Sequence, residues 1–205
     1  MKPELFINHD DFQAWLARAL SRSEIVAPVE AWGRRQLKMI SIEDLDQVRL
    51  DGFRTVESFK SFLFLLTEKV AEPWGKERLF LGARGCDLEA LEALDRIFGE
   101  GEFKDPFYLA NREKITVIGA DCTDCGATCF CRTVGGQPYP TKLFDLSLTP
   151  VEGGYIVVIG TAKGEKLVKA DKELFSETVA RAKAEAKRKI RQKTIAISHR
   201  LLHPK

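Results

Sequence analysis

The chain alternates between two hydrophobic rhythms. DDFQAWLARALS (10–21) places Phe12, Trp15, Leu16 and Leu20 on one stripe at helical spacing, behind an Asn/Asp start, which predicts a helix. EIVAPV (24–29) and QLKMISI (36–42) read as two strands around the turn AWGRR. Residues 43–60 are mixed, with a break at Gly52. SFKSFLFLLTEKVAE (58–72) is a dense apolar patch that fits a buried helix or a strand followed by a helix, and periodicity alone does not separate these. ERLFLGA (77–83) predicts a buried strand. The next segment predicts a helix from about Asp87, taken as its N-cap, with Leu88, Leu91, Leu94 and Phe98 on one face. A short helix over 105–113 follows, with Pro106 at its first position, then a second buried strand over 114–120. LFDLSLT and YIVVIGT read as a hairpin joined by Pro-Val-Glu-Gly-Gly, and helix formers dominate from about Asp171. Two buried strands, each feeding a loop or helix, predict an α/β (α+β) fold: a mixed sheet flanked by helices, with a cysteine-rich loop and a basic C-terminal helix. The expected organisation is a domain over 1–170 and a helical tail over 171–205.

Composition narrows the function classes. The chain has 205 residues, 44% hydrophobic and 30% charged, enough to bury a core. Net charge is only +2, so the chain as a whole is no polyanion binder. The charge is uneven, however: residues 179–205 carry nine Lys/Arg against one Glu. That run reads as a solvated face or as a docking surface for an acidic redox partner. Nucleic-acid binding is disfavoured because the tail lacks aromatics. The longest apolar runs, Phe62–Leu66 and Tyr155–Gly160, are too short to span a bilayer. The start, MKPELFINHDD, has no basic flank leading into an apolar stretch, so a cytoplasmic location with reduced thiols is expected. No dinucleotide fingerprint, P-loop, HExxH or GxSxG motif is present.

Cysteine usage changes the picture. Four of the five cysteines fall within ten residues: Cys122, Cys125, Cys129 and Cys131. The fifth, Cys86, lies in the turn after the first buried strand, at a predicted helix N-terminus that favours a thiolate. If the two buried strands are parallel neighbours, their loops join all five thiols into one site. Three chemistries compete there. Structural zinc asks for two separated knuckles, and the three residues between Cys125 and Cys129 are too few. A thiol redox pair matches the Cys122–Cys125 spacing but leaves Gly126 and two more cysteines unexplained. An iron–sulfur cluster needs thiolates converging from compact loops, with small residues such as Gly126 and Ala127 letting backbone N–H groups reach the sulfides. Thr123, Thr128 and Gly126 are candidates for supporting such a group, or simply for shaping the loop. Asp121 and Asp124 are the acids of that loop, suited to orienting or solvating it. His9, His199 and His203 lie away from the cysteines in sequence and read as surface groups.

Arg84-Gly85-Cys86-Asp87 followed by LEALEALDRIF, then Asp105-Pro106-Phe107-Tyr108, then IGADCTDCGATCFC, resembles a family of iron–sulfur subunits. It is the family that includes the beta subunit of sulfhydrogenases and the corresponding iron–sulfur subunit of anaerobic sulfite reductase. SFKSFLFLLTE (58–68) is a weaker echo, and the likeness covers about residues 45–170. The resemblance implies a [4Fe-4S] cluster held by Cys86, Cys122, Cys129 and Cys131. A [2Fe-2S] cluster or zinc are the alternatives. It also implies a non-catalytic electron-transfer role beside flavin-bearing, ferredoxin-like, hydrogenase or reductase subunits. A zinc-binding or redox-sensing interaction module is the alternative role. Gly85 and Cys125 stand where the family has proline. Cys125 is therefore a fifth thiol, either an alternative ligand or a free neighbour. Family members also continue into a ferredoxin-like domain with two CxxCxxCxxxCP runs. This sequence has none, and so looks like the cluster-bearing module alone.

Overall fold

A computed structural model describes residues 4–31, 33–63, 75–177 and 179–202; side chains are described up to residue 198. Its framework is a seven-stranded mixed sheet: β1 (Glu4–Asn8), β2 (Glu24–Ala31), β3 (Arg34–Ile40), β4 (Arg78–Ala83), β5 (Ile115–Ala120), β6 (Leu146–Val151) and β7 (Gly154–Ile159). The spatial order is β1-β7-β6-β5-β4-β2-β3. The four middle strands, β2, β4, β5 and β6, run parallel, and antiparallel partners close both sides. This is the α/β fold that the alternation of buried strands and helices predicts.

β4 and β5 are buried along their whole length, which explains their unbroken apolar sequence. Side-chain alternation divides them between two cores. Leu79, Leu81, Ile118 and Ala120 face one side, with Trp15 and Leu16 of α1 (His9–Leu20). Phe80, Ile115 and Val117 face the other, with Phe59 and Leu63 beside α2 (Lys60–Leu63), Leu88 and Leu91 of α3 (Gly85–Gly99) and Tyr108 of α4 (Pro106–Glu113). Leu94 and Phe98 pack on this second core, so the predicted apolar face of α3 is the face used. The part of the 58–72 patch beyond residue 63 lies outside the described residues.

Four expectations change. α3 begins at Gly85, with Arg84 as its N-cap. Asp87 sits at the third helical position, where its carboxylate accepts the Arg84 backbone N–H at 2.9 Å. The hairpin turn is tighter than Pro-Val-Glu-Gly-Gly, because Pro150 and Val151 still pair with Tyr155 and Gly154. The chain does not become helical at Asp171. That residue ends α5 (Ala162–Ala170), whose N-cap is Thr161, and the final helix α6 (Arg181–Leu202) starts ten residues later. β1 and α5 have no counterpart in the sequence reading: β1 is short, and α5 carries a glycine in its first turn.

α6 carries much of the basic run, and its charges are divided. Lys187 is buried and pairs with Glu4 at 2.8 Å, and Lys183 lies 3.1 Å above the Phe6 ring. Arg191 enters the ion pair described below. Arg181, Arg188, Lys189 and Lys193 are exposed. The solvated face therefore describes only part of the run.

Candidate metal centre

Parallel pairing of β4 and β5 sets their C-terminal ends side by side. From β4 the chain passes through Arg84 into α3 with Cys86 in its first turn. From β5 it runs into Asp121-Cys122 and the cysteine loop. All five cysteines line one cavity, together with Arg54, Arg84, Phe130 and Gln137. All five are free thiols. Spacing had isolated the four clustered thiols; strand pairing supplies the fifth.

The loop is fixed from several sides. Arg84 is buried, and its guanidinium donates to the carbonyls of Asp121 at 2.6 Å and Asp51 at 2.8 Å. Thr123 and Gly52 are mutually bonded: the Gly52 N–H donates to Oγ1 at 2.6 Å, and the Thr123 N–H donates to the Gly52 carbonyl at 2.8 Å. Gly52 sits at φ +68°, a conformation costly for other residues, so its appearance as a sequence break has a structural cause. The Cys122 N–H donates to the Pro138 carbonyl at 2.8 Å. Asp121 is fully buried; its carboxylate accepts from Thr149 Oγ1 at 2.8 Å and from Arg191 at 2.7 and 3.1 Å. Asp121 thus orients the loop, whereas Asp124 is exposed and accepts the Cys125 N–H at 2.8 Å.

Two contacts bear on the sulfurs themselves. The Gly126 N–H points at Cys129 Sγ at 3.2 Å, the kind of N–H···S bond that stabilises a thiolate. Gly126 has no room for a side chain, because a Cβ would meet the Phe53 ring at 2.7 Å. Cys125 differs from the others: its thiol donates to the Thr194 carbonyl of α6 at 3.4 Å. Gly85 also has a stricter role than a loosened turn. A Cβ there would lie 2.3 Å from the Gln137 carbonyl oxygen, so glycine is what lets residues 137–139 close over the start of α3.

Burial sets the electrostatics. It pushes the Cys86 thiol up to about 12, with Asp87, Cys122 and Cys131 adding to the rise. It pushes Cys122 up to about 11 against the pull of Arg84, and Cys125 up to about 12 with the help of Cys129 and Cys122. Cys131 rises for the same first reason. Thiols held this way stay protonated at neutral pH, which disfavours them as nucleophiles; a soft metal centre displaces the protons when it binds.

The donor chemistry fits a thiolate-ligated cluster. Five sulfurs line the cavity, with no carboxylate or imidazole among its described walls. The geometry is not closed around a point: among the described residues no group of three or more His, Cys, Asp or Glu is placed to hold a metal ion. The cavity measures about 20 Å³, little more than one water, so its cysteine rim must spread to accept a cluster. Arg54, Arg191 and Gln137 were invisible to motif reading, because none lies near a cysteine in the sequence.

The fold and the thiol-lined cavity define an α/β domain with a candidate metal centre at the ends of two parallel strands. The chain is similar to Sulfhydrogenase 2 subunit beta of Pyrococcus furiosus, with 25% identity over 145 residues, covering 66% of this chain and 42% of that protein. The chain therefore spans less than half the length of this curated relative, and the resemblance to sulfhydrogenase beta subunits stands on more than the motifs. Among solved structures, a chain of the F420-reducing [NiFe] hydrogenase complex from Methanosarcina barkeri shares the fold. The TM-score is 0.58 at 13% identity, over 96% of this chain and 89% of that one. No family model matches the chain. Among the described residues no helix is long and apolar enough to cross a membrane.

Proposed function

We propose that the chain holds one [4Fe-4S] cluster on Cys86, Cys122, Cys129 and Cys131 and serves as an electron-transfer subunit of an anaerobic oxidoreductase complex of hydrogenase, sulfite reductase or heterodisulfide reductase type. The observation that carries this reading is the convergence of thiols from two separate strand ends on one cavity. The similarity to a sulfhydrogenase beta subunit favours the hydrogenase type. A cluster bound there would accept one electron from one partner and release it to another.

The protein's own residues do the positioning. Arg84, Gly52 and Thr123 fix the path of the cysteine loop, and the Gly126 N–H supports Cys129. Cys125 is left out of the ligand set because its thiol is engaged by α6. Phe130 borders the cavity and is 53% exposed, which puts the site within reach of a docked redox protein bearing flavin or its own clusters.

Anaerobic purification tests the proposal. The expected product is brown, absorbs broadly at roughly 400 nm, and gives an EPR signal after reduction. A colourless protein with one bound zinc would replace electron transfer with a structural or sensing role.

A further inference from the structure

Two polar side chains on the cavity wall lack protein partners. Arg54 lines the cavity, and among the described residues its guanidinium makes no hydrogen bond or ion pair. Other arginines around the site are committed: Arg84 to the carbonyls of Asp51 and Asp121, Arg132 to the Gly136 carbonyl at 3.3 Å, Arg191 to Asp121. Gln137 lines the same cavity, and its Oε1 is buried with no hydrogen-bond partner among the described residues.

A buried amide oxygen facing only sulfur is in the wrong company, since thiolates and sulfides accept hydrogen bonds rather than donate them. Half a turn about the terminal torsion exchanges Oε1 for Nε2 and presents an N–H to the cavity instead. Arg54 offers up to five N–H donors and a permanent positive charge. Both groups then suit the same occupant, an anion rich in sulfur acceptors. A cluster with four thiolate ligands is such an anion, and it gains one further negative charge on reduction. A nearby cation and N–H···S bonds favour the reduced, more negative form.

We infer that Arg54 and Gln137 face the cluster as charge and hydrogen-bond donors and raise its reduction potential. The inference rests on the cluster assignment above, and its test separates the two. Arg54 is half-buried at the mouth of the cavity, so its replacement leaves the sheet and both cores intact. Anaerobic wild type, Arg54→Gln, Arg54→Lys and Gln137→Leu are titrated potentiometrically with EPR detection, and iron is measured on each sample. At a fixed donor potential, Arg54→Gln is expected to lower the ratio of reduced to oxidised cluster about tenfold, equivalent to ~59 mV for one electron. Arg54→Lys keeps the charge and most of the potential. Gln137→Leu shifts the potential in the same direction, and it carries the test if Arg54→Gln loses iron. Unchanged potentials at full iron content overturn the inference while leaving the cluster assignment intact. Wild type without iron defeats that assignment, and the inference with it.

Discussion

Arg191 reaches across 70 positions of the chain to grip Asp121, from Nε to Oδ2 at 2.7 Å and from Nη2 to Oδ1 at 3.1 Å. Asp121 is fully buried and immediately precedes Cys122. The final helix is therefore tied to the cysteine loop by a bidentate pair, and again by the Cys125 contact to Thr194. A two-pronged guanidinium fixes direction as well as distance, which lysine does not.

Removing Arg191 leaves a buried carboxylate with only the Thr149 hydroxyl. Breaking a buried pair in this way costs about 3 kcal/mol. At about 2–4 °C per kcal/mol for a chain of this size, Arg191→Ala should lower Tm by about 6–12 °C. Arg191→Lys should recover part of the loss. Thermal melts of the two variants measure this, and an unchanged Tm for Arg191→Ala would remove the pair from the account.

Gly85→Ala should destabilise the protein by about 1–3 kcal/mol through overpacking, because the new Cβ meets backbone oxygens of Gln137 and Tyr139 at 2.3 and 2.9 Å. Gly85→Pro, which restores the residue the sulfhydrogenase-like pattern carries, meets the same obstacle and should not stabilise. Urea unfolding of both variants checks the point. A gain in midpoint for either would show that residues 137–139 move aside at no cost.

Asp171 links α5 to α1 through Arg22 at 2.5 Å and Arg18 at 3.1 Å, with its own side chain 5% exposed. Burial alone would raise its pKa, but the hydrogen bonds from Arg22 and Arg18 outweigh it and hold the carboxyl below the usual range. The folded value lies below the unfolded one. The stability it contributes is thus complete above about pH 4 and is lost as pH falls through the folded value. Urea midpoints across pH 2–7 should show wild type well above Asp171→Asn at neutral pH, with the gap narrowing in acid. A constant gap would contradict this.

Much of the fold is legible in the sequence because β4, β5 and α3 have strong, simple hydrophobic patterns. Joining Cys86 to the distant cysteine loop needs only the idea that two buried strands are parallel neighbours, and the structure pairs them. The inward face of α6 is not legible. Lys187, Arg191, Thr194 and Ser198 repeat at helical spacing, but they are polar and read as solvated until Glu4 and Asp121 are seen opposite Lys187 and Arg191. Gly85 likewise shows its reason only when residues 137–139, more than fifty positions away, close over it.

The central claim is that one cluster is held jointly by the two strand-end loops. Iron and sulfide per chain, measured on anaerobic wild type beside Cys86→Ser, test it most directly. The account predicts about four of each for wild type and a large loss for Cys86→Ser. A Cys86→Ser protein that keeps its full complement would contradict it, confining the ligands to the 122–131 loop and bringing Cys125 into the set.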